Sequence, residues 1–130
     1  MKDMRDEALI RAARRVWERN GGRVRDRMAL ARLTVRESAP GYFVQYEHAE
    51  RMMRQYRQGR LKAEKATRRA MWEEIGRKVA QRLIRDPEMS YNAAVADVLC
   101  EEHASRFFLE PDTVSRVLRG CKLGNNVLIK

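Results

Sequence analysis

A run of basic residues between positions 51 and 62 is the feature of this sequence best suited to binding phosphate groups. Arginine recurs there at every third position, and this spacing places successive side chains on one side of a helix. Arginine and lysine neutralise the phosphates of nucleic acids, and glutamine can contact the edge of adenine. The pattern predicts a phosphate-contacting helix face with these members: His48, Arg51, Arg54, Gln55, Arg57, Gln58, Arg60 and Lys62.

The last helical stretch of the chain shows a similar division into an apolar and a polar face. Val114, Val117 and Leu118 recur at helical spacing and are predicted to point inward. Arginine binds the O6 and N7 atoms of guanine, and serine or threonine hydroxyls both donate and accept hydrogen bonds. A second nucleic-acid contact is therefore predicted on the outer face, formed by Thr113, Ser115, Arg116 and Arg119.

This last stretch also carries a family resemblance. The sequence from Thr113 to Gly120 is Thr-Val-Ser-Arg-Val-Leu-Arg-Gly. It resembles the recognition helix of the lac- and purine-repressor family of helix-turn-helix proteins, whose pattern is Thr-Val-Ser-Arg-Val-Leu-Asn-Gly. In a helix-turn-helix one helix braces against the DNA backbone while the next lies in the major groove. The resemblance covers eight residues and implies DNA contacts for Thr113, Ser115 and Arg116.

Three further arginines, Arg23, Arg25 and Arg27, alternate along the chain ahead of the predicted second helix. Two interpretations remain open for them. They clamp phosphates, or they form the solvated start of a helix.

The charge of the chain is strongly positive and unevenly distributed. The formal net charge is +10 at pH 7. Residues 1–70 carry 19 Lys and Arg against 9 Asp and Glu, whereas residues 71–130 carry 9 against 9. Such an asymmetric field attracts polyanions, although a basic helical surface also serves solubility alone. We favour a polyanionic partner and expect no membrane association.

Catalytic and metal-binding patterns are missing from the sequence. There is no glycine-rich phosphate loop, nucleophile elbow or His–Glu metal helix. His48 and His103 lie 55 positions apart, without cysteines or carboxylates at ligand spacing. We therefore expect no enzymatic activity, no metal and no cofactor.

Aromatic residues accumulate in two short links between predicted helices. Tyr42 and Phe43 lie in one link, and Phe107 and Phe108 lie in the other. Stacking on unpaired bases is one role for such side chains. We favour the other role, in which they fill the apolar core.

Composition predicts an all-α protein. Apolar residues make up 44% of 130 positions, and only three prolines and seven glycines interrupt them. The two cysteines do not form a disulfide framework, and we expect neither a signal peptide nor a membrane-spanning segment. The expected compartment is the cytoplasm.

The chain aligns with itself at a constant offset of 65 residues. Residues 28–54 match residues 93–119 without a gap, with Phe43/Phe108 and Arg54/Arg119 among the identical pairs. This duplication predicts two tandem three-helix units, 1–60 and 61–121, and a loose tail over 122–130. After a first helix that stops at Asn20-Gly21-Gly22, the periodicity predicts helices over about 24–37, 46–58, 61–85, 91–103 and 111–119.

The features together predict a nucleic-acid-binding protein with helix-turn-helix-like second and third helices, and they favour double-stranded DNA over RNA. Two alternatives remain. One is a protein–protein adaptor or structural component of a phage or mobile element, whose basic face binds an acidic partner. The other is RNA binding. The near-neutral second unit is also a candidate surface for a protein partner or for self-association.

Overall fold

The computed structural model describes residues 1–124 and 127–128. This part of the chain is mostly helical, which confirms the predicted all-α class. Its helices are α1 (Lys2–Arg19), α2 (Arg27–Thr34), α3 (Tyr46–Arg57), α4 (Ala66–Arg85), α5 (Tyr91–Glu101) and α6 (Pro111–Leu118). No helix in the described residues combines the length and the apolarity that crossing a membrane requires.

The helix boundaries follow from local capping. The side chain of Ser90 accepts a hydrogen bond from the Ala93 backbone nitrogen, as its position before α5 predicts, and Pro111 begins α6. Helix α2 starts later than the predicted position 24, because the Asp26 side chain caps it by accepting from the Ala29 nitrogen at 2.8 Å. This hydrogen bond also lowers the pKa of Asp26. Helix α4 likewise begins at Ala66 and not at 61.

The segment after α6 contains structure where a loose tail is predicted. Strand β1 (Lys122–Gly124) pairs antiparallel with strand β2 (Val127–Leu128). Leu123 is buried, and the carbonyl oxygen of Lys122 accepts a hydrogen bond from Arg14 Nε at 2.9 Å. The burial of one apolar side chain thus anchors β1. Residues 125, 126, 129 and 130, on which the prediction also bears, lie outside the described residues.

The helices group into two compact units that differ from the tandem division 1–60 and 61–121. Unit 1 comprises Met1–Pro40 and Ala104–Lys130, and unit 2 comprises Gly41–His103. Helix α6 therefore packs with α1 and α2, whereas α3 packs with α4 and α5. The third helix of each predicted unit belongs to the other unit.

The core of unit 1 contains apolar side chains from all three of its helices. Leu9 and Val16 of α1, Leu30 of α2, and Val114 and Leu118 of α6 are almost completely buried. Val114 and Leu118 match the predicted inward face of the last helix, whereas Val117, also predicted to point inward, is half-buried. Helices of eight residues, such as α2 and α6, are marginal alone, so this shared burial stabilises them.

The link that leads into α6 is fixed within unit 1 by backbone hydrogen bonds. Ala39 and Ala104 form an isolated antiparallel bridge, with nitrogen-to-oxygen distances of 3.1 and 2.9 Å. The Phe107 nitrogen donates to the Val35 oxygen at 3.1 Å. The side chains of Phe107 and Phe108 are buried, which confirms the core interpretation for this pair.

The core of unit 2 is built around α4. Trp72 and Ile75 of α4 are buried together with Met53 of α3 and Val95 and Val98 of α5. Burying a tryptophan of this size contributes substantially to stability, about 3–5 kcal/mol by comparison with truncation to alanine.

A buried polar pair also lies in unit 2. The Tyr42 hydroxyl donates to Glu74 Oε2 at 2.7 Å, and Lys78 Nζ lies 3.7 Å from the same oxygen. Burial raises the pKa of Tyr42, and the hydrogen bond to Glu74 raises it further. Because the Glu74 carboxylate has both a hydroxyl donor and a nearby ammonium group, these interactions offset the free-energy cost of burying its charge. The pair ties the segment before α3 to α4.

Candidate nucleic-acid interface

The positive charge of the chain is concentrated in unit 1. This unit holds 16 Lys and Arg against 8 Asp and Glu, whereas unit 2 holds 12 against 10. The formal net charges are therefore +8 and +2. The grouping of helices assigns most of the surplus to the unit that contains α6.

Two predicted contact segments meet in unit 1. Arg27, the first residue of α2, donates from Nε to the Ser115 hydroxyl of α6 at 2.8 Å. These residues are 88 positions apart, and from the sequence alone they belong to two separate candidate contact sites. The hydrogen bond places the start of α2 beside the middle of α6.

Five arginines lie at or near the two ends of this contact in the sequence, and we call this set the α6 patch. It consists of Arg23, Arg25, Arg27, Arg116 and Arg119. Four of these side chains are exposed, and Arg27 is half-buried. Arg25 lies 3.3 Å from Asp26, but its side chain is 82% exposed, so water screens this ion pair. Within the described residues, Arg23, Arg116 and Arg119 form no ion pair.

The structure changes the role predicted for Ser115. The sequence places this side chain on the outer face of the last helix, but only 5% of the residue is exposed. The Ser115 hydroxyl accepts a hydrogen bond from Arg27 Nε. The prediction that Ser115 lies on the outer face of the helix is therefore wrong, because its side chain is buried and contacts Arg27. Thr113 is half-buried, and Arg116 Nη2 lies 3.4 Å from its hydroxyl.

The second candidate surface lies on α3 and the turn after it in unit 2, and we call it the α3 row. It contains the eight residues predicted from the spacing of the basic run. His48 and Gln55 are half-buried; exposed to solvent are Arg51, Arg54, Arg57, Gln58, Arg60 and Lys62. Helix α3 ends at Arg57, so Gln58, Arg60 and Lys62 lie after the helix and not on its face, while six of the eight side chains are exposed.

Several members of the α3 row already contact neighbouring side chains. Arg54 lies 3.3 Å from Glu50, and the Arg57 guanidinium lies 3.9 Å above the centre of the Tyr91 ring. The Gln55 side-chain oxygen accepts from the Lys62 nitrogen at 3.2 Å, which holds the turn after α3. The side chain of Gln55 therefore stabilises the turn after α3, whereas the sequence predicts that it contacts a base.

His48 lies in a cationic and partly apolar environment. Its ring meets the Trp72 ring edge-on, with centres 5.3 Å apart, and Arg51 Nη2 lies 3.0 Å from His48 Nδ1. Burial lowers the pKa of His48, and the charges of Arg51 and Arg68 lower it further. The neutral ring is the form that accepts from Arg51.

This lowered pKa predicts an acid sensitivity of the fold. The folded pKa of His48 lies below the unfolded value of about 6.5, so the unfolded chain binds this proton first. The free energy of unfolding is expected to fall as the pH drops below about 6.5 and to level off below the folded pKa. Urea denaturation between pH 7.5 and 5 measures this decline. The variant His48→Gln is expected to lose less stability over that range, whereas parallel curves contradict the assignment.

A cavity of unit 2 contains residues that the sequence does not single out as a site. Tyr56, Gly59, Leu61, Arg69, Glu73 and Arg77 line it. Glu73 and Arg77 lie four positions apart on α4, but they form no ion pair with each other. The i,i+4 spacing is visible in the sequence, but the approach of Tyr56 is not, because it depends on the packing of α3 against α4.

The described residues contain no group of three histidine, cysteine, aspartate or glutamate side chains that could hold a metal ion. No protein-family model, curated protein or solved structure matches the chain. The function of the chain is therefore inferred from the chemistry of the two basic surfaces and the cavity.

Proposed function

We propose that this protein binds nucleic acid, with double-stranded DNA favoured over RNA, and that the α6 patch is its main phosphate-contacting surface. The observation that carries the proposal is the Arg27–Ser115 hydrogen bond. It joins the arginines that precede α2 to the exposed arginines of α6 in the unit with a net charge of +8. In this proposal the arginines of the patch act together, and Arg23, Arg116 and Arg119, which form no ion pair among the described residues, are suited to neutralising several phosphates.

In this proposal α6 is the helix that approaches the DNA. Arg116 is exposed on α6, and Arg119 is exposed directly after it. The resemblance to the repressor recognition helix supports contacts by Thr113 and Arg116. Ser115 has a positioning role, because its hydroxyl holds Arg27 beside α6. The supporting helix is α2, since α5, which precedes α6 in sequence, belongs to unit 2.

We further propose that the chain arose by duplication of a helical segment and that the third helices of the two copies are exchanged. Ala39 and Ala104, which pair in the antiparallel bridge, are equivalent positions at the offset of 65. Helices α3 and α6 occupy equivalent sequence positions and belong to opposite units. This exchange supports two related basic surfaces, the α6 patch and the α3 row, in one chain.

The test compares binding of the full chain to duplex DNA, single-stranded DNA and duplex RNA at several salt concentrations. For duplex DNA we expect a steep loss of affinity with salt, with a slope of about −0.9 per neutralised phosphate. Arg116→Glu with Arg119→Glu is expected to weaken binding and to reduce the slope by about one unit for each lost contact. Fluorescence anisotropy measures both quantities.

A matched control separates the patch from net charge. Lys2→Glu with Arg36→Glu makes the same change in charge at two exposed cations of unit 1 outside the patch. It is expected to keep the salt slope. Equal effects of the two double variants would remove the α6 patch from the interface. Arg51→Glu with Arg54→Glu tests the α3 row in the same way.

The two alternatives correspond to separate outcomes. Tighter binding to duplex RNA than to duplex DNA replaces the DNA proposal with RNA recognition. Failure to bind any nucleic acid at low salt rejects the proposal and leaves an acidic protein as the partner of the basic surface.

A further inference from the structure

The cavity in unit 2 lies beside the end of the α3 row. Its volume is about 330 Å³, at the lower end of the range for small-ligand sites. Tyr56 and Gly59 contribute from the end of α3 and the turn after it, and Leu61 follows in the chain. Arg69, Glu73 and Arg77 contribute from α4 at successive helical turns. The cavity therefore has one wall with an aromatic ring and one wall with charged groups.

The local structure holds these walls in place. Gly76 allows the Tyr56 ring to pack directly against α4, because a Cβ at this position would lie under 3.0 Å from three ring atoms. The turn after α3 uses Gly59 at a φ of +69°, a conformation that favours glycine. Arg69 Nη2 donates to the Leu61 carbonyl oxygen at 3.0 Å, which fixes the turn against α4.

Glu73 and Arg77 provide hydrogen-bonding capacity that the described residues leave unused. They are four positions apart and therefore neighbours on the same helix face. Neither side chain forms a hydrogen bond or an ion pair with another described residue. The carboxylate of Glu73 offers two acceptor oxygens, and the guanidinium of Arg77 offers several donors beside them.

We propose that this cavity binds one unpaired guanine base of a nucleic acid. The Watson–Crick edge of guanine presents two adjacent donors, N2–H and N1–H, followed by the acceptor O6. The carboxylate of Glu73 accepts from the two donors, and Arg77 donates to O6. Adenine, cytosine and thymine lack two adjacent donors on this edge. Proteins commonly bind unpaired bases through such edge contacts and aromatic side chains, and Tyr56 supplies the ring.

In this proposal, cations next to the lining residues in the sequence contact the phosphates that accompany such a base. Arg57 follows Tyr56 directly in the chain, and Arg60 follows Gly59. Both side chains are exposed. A strand with one base in the cavity therefore has cations on the same chain segment for its adjacent phosphates. This inference rests on the proposed function, since it assigns a base-binding role to the part of the α3 row next to the cavity.

The experiment measures binding of the full chain to ten-nucleotide single strands by fluorescence anisotropy. The probes are an all-thymidine strand and three strands with one central guanosine, inosine or adenosine. We expect the guanosine strand to bind about tenfold tighter than the all-thymidine strand, in line with one bidentate base contact. Inosine, which lacks the N2 amino group, is expected to bind more weakly than guanosine.

The variant Glu73→Gln is expected to remove the preference for guanosine over inosine while leaving binding of the all-thymidine strand within about twofold. Glu64→Gln, which changes an exposed carboxylate outside the cavity in the same way, is the matched control and is expected to keep the preference. Circular dichroism of both variants verifies that the helices are intact.

The outcomes separate this inference from the proposed function. Equal binding of all four strands, or an unchanged guanosine preference in Glu73→Gln, overturns the guanine site and leaves nucleic-acid binding in place. Binding to duplex DNA but to no single strand likewise overturns the guanine site and leaves nucleic-acid binding in place. If no strand and no duplex binds at low salt, the proposed function fails, and the guanine site fails with it.

Discussion

A fragment spanning residues 41–103 is expected to fold on its own, whereas a fragment spanning residues 1–60 is expected to remain largely unfolded. The first fragment contains all of unit 2 in one continuous segment, including the buried Trp72, Ile75 and Met53. Its length of 63 residues lies within the range in which small domains fold alone. We therefore expect a cooperative thermal transition by circular dichroism and dispersed amide signals by NMR.

The fragment 1–60 lacks α6, which covers α1 and α2 in the intact chain. Without α6, which carries the buried Val114 and Leu118, the side chains of Leu9, Val16 and Leu30 lose part of the core that covers them. Helix α3 is present in this fragment but is separated from α4 and α5. Short helices without a packed apolar face are marginal in water, so little helix is expected.

Mixing the fragments 1–60 and 61–130 provides a control, since together they contain every helix of both units. The mixture is expected to gain helix content over the sum of its parts. A cooperative transition in 1–60 alone, together with a disordered 41–103, would show that the tandem division is the stable one.

Gly76→Ala is expected to destabilise the protein by about 1–3 kcal/mol, the usual cost of overpacking a core. Alanine normally stabilises a helix interior relative to glycine by about 1 kcal/mol, so the expected sign is the reverse of helix propensity. The reason is the Tyr56 ring, three atoms of which would lie under 3.0 Å from the new Cβ. Urea denaturation of the two proteins measures the difference in unfolding free energy.

Two controls identify the cause of that destabilisation. A Cβ at Gly41 would meet no atom within 4 Å, so Gly41→Ala is expected to leave the stability nearly unchanged. The double variant Gly76→Ala with Tyr56→Ala is expected to be more stable than the sum of the two single changes predicts, because the clash is gone. A more stable Gly76→Ala protein would show that the Tyr56 ring moves away without cost.

The helices themselves follow from short stretches of sequence. The stop at Asn20-Gly21-Gly22, the cap at Ser90 and the start at Pro111 lie where local rules place them. The exposed arginines of the α3 row are also predictable, since a spacing of three selects one helix face. The predicted start of α2 is too early. The apolar pattern continues upstream of the helix, whereas the Asp26 side chain caps the helix by accepting from the Ala29 nitrogen.

The candidate site is only partly predictable for the same reason. The outward direction of Arg116 and Arg119 follows from the helical period. The burial of Ser115 does not follow from the helical period, because its hydrogen-bond partner Arg27 is 88 positions away in the chain. The cavity also escapes sequence analysis, since Tyr56 and Gly76 come together only when α3 packs on α4.

The sequence alone determines the helical class, the net charge of +10 and the identity of both basic helices, because composition, charge and periodicity are local properties. Only the tertiary structure decides which third helix packs with which pair. Helices α3 and α6 have matching apolar positions at the offset of 65, so their patterns fit either unit equally well. The choice depends on the links, where Ala39 pairs with Ala104 and Phe107 binds Val35, and such long-range hydrogen bonds leave no periodic signal in the sequence.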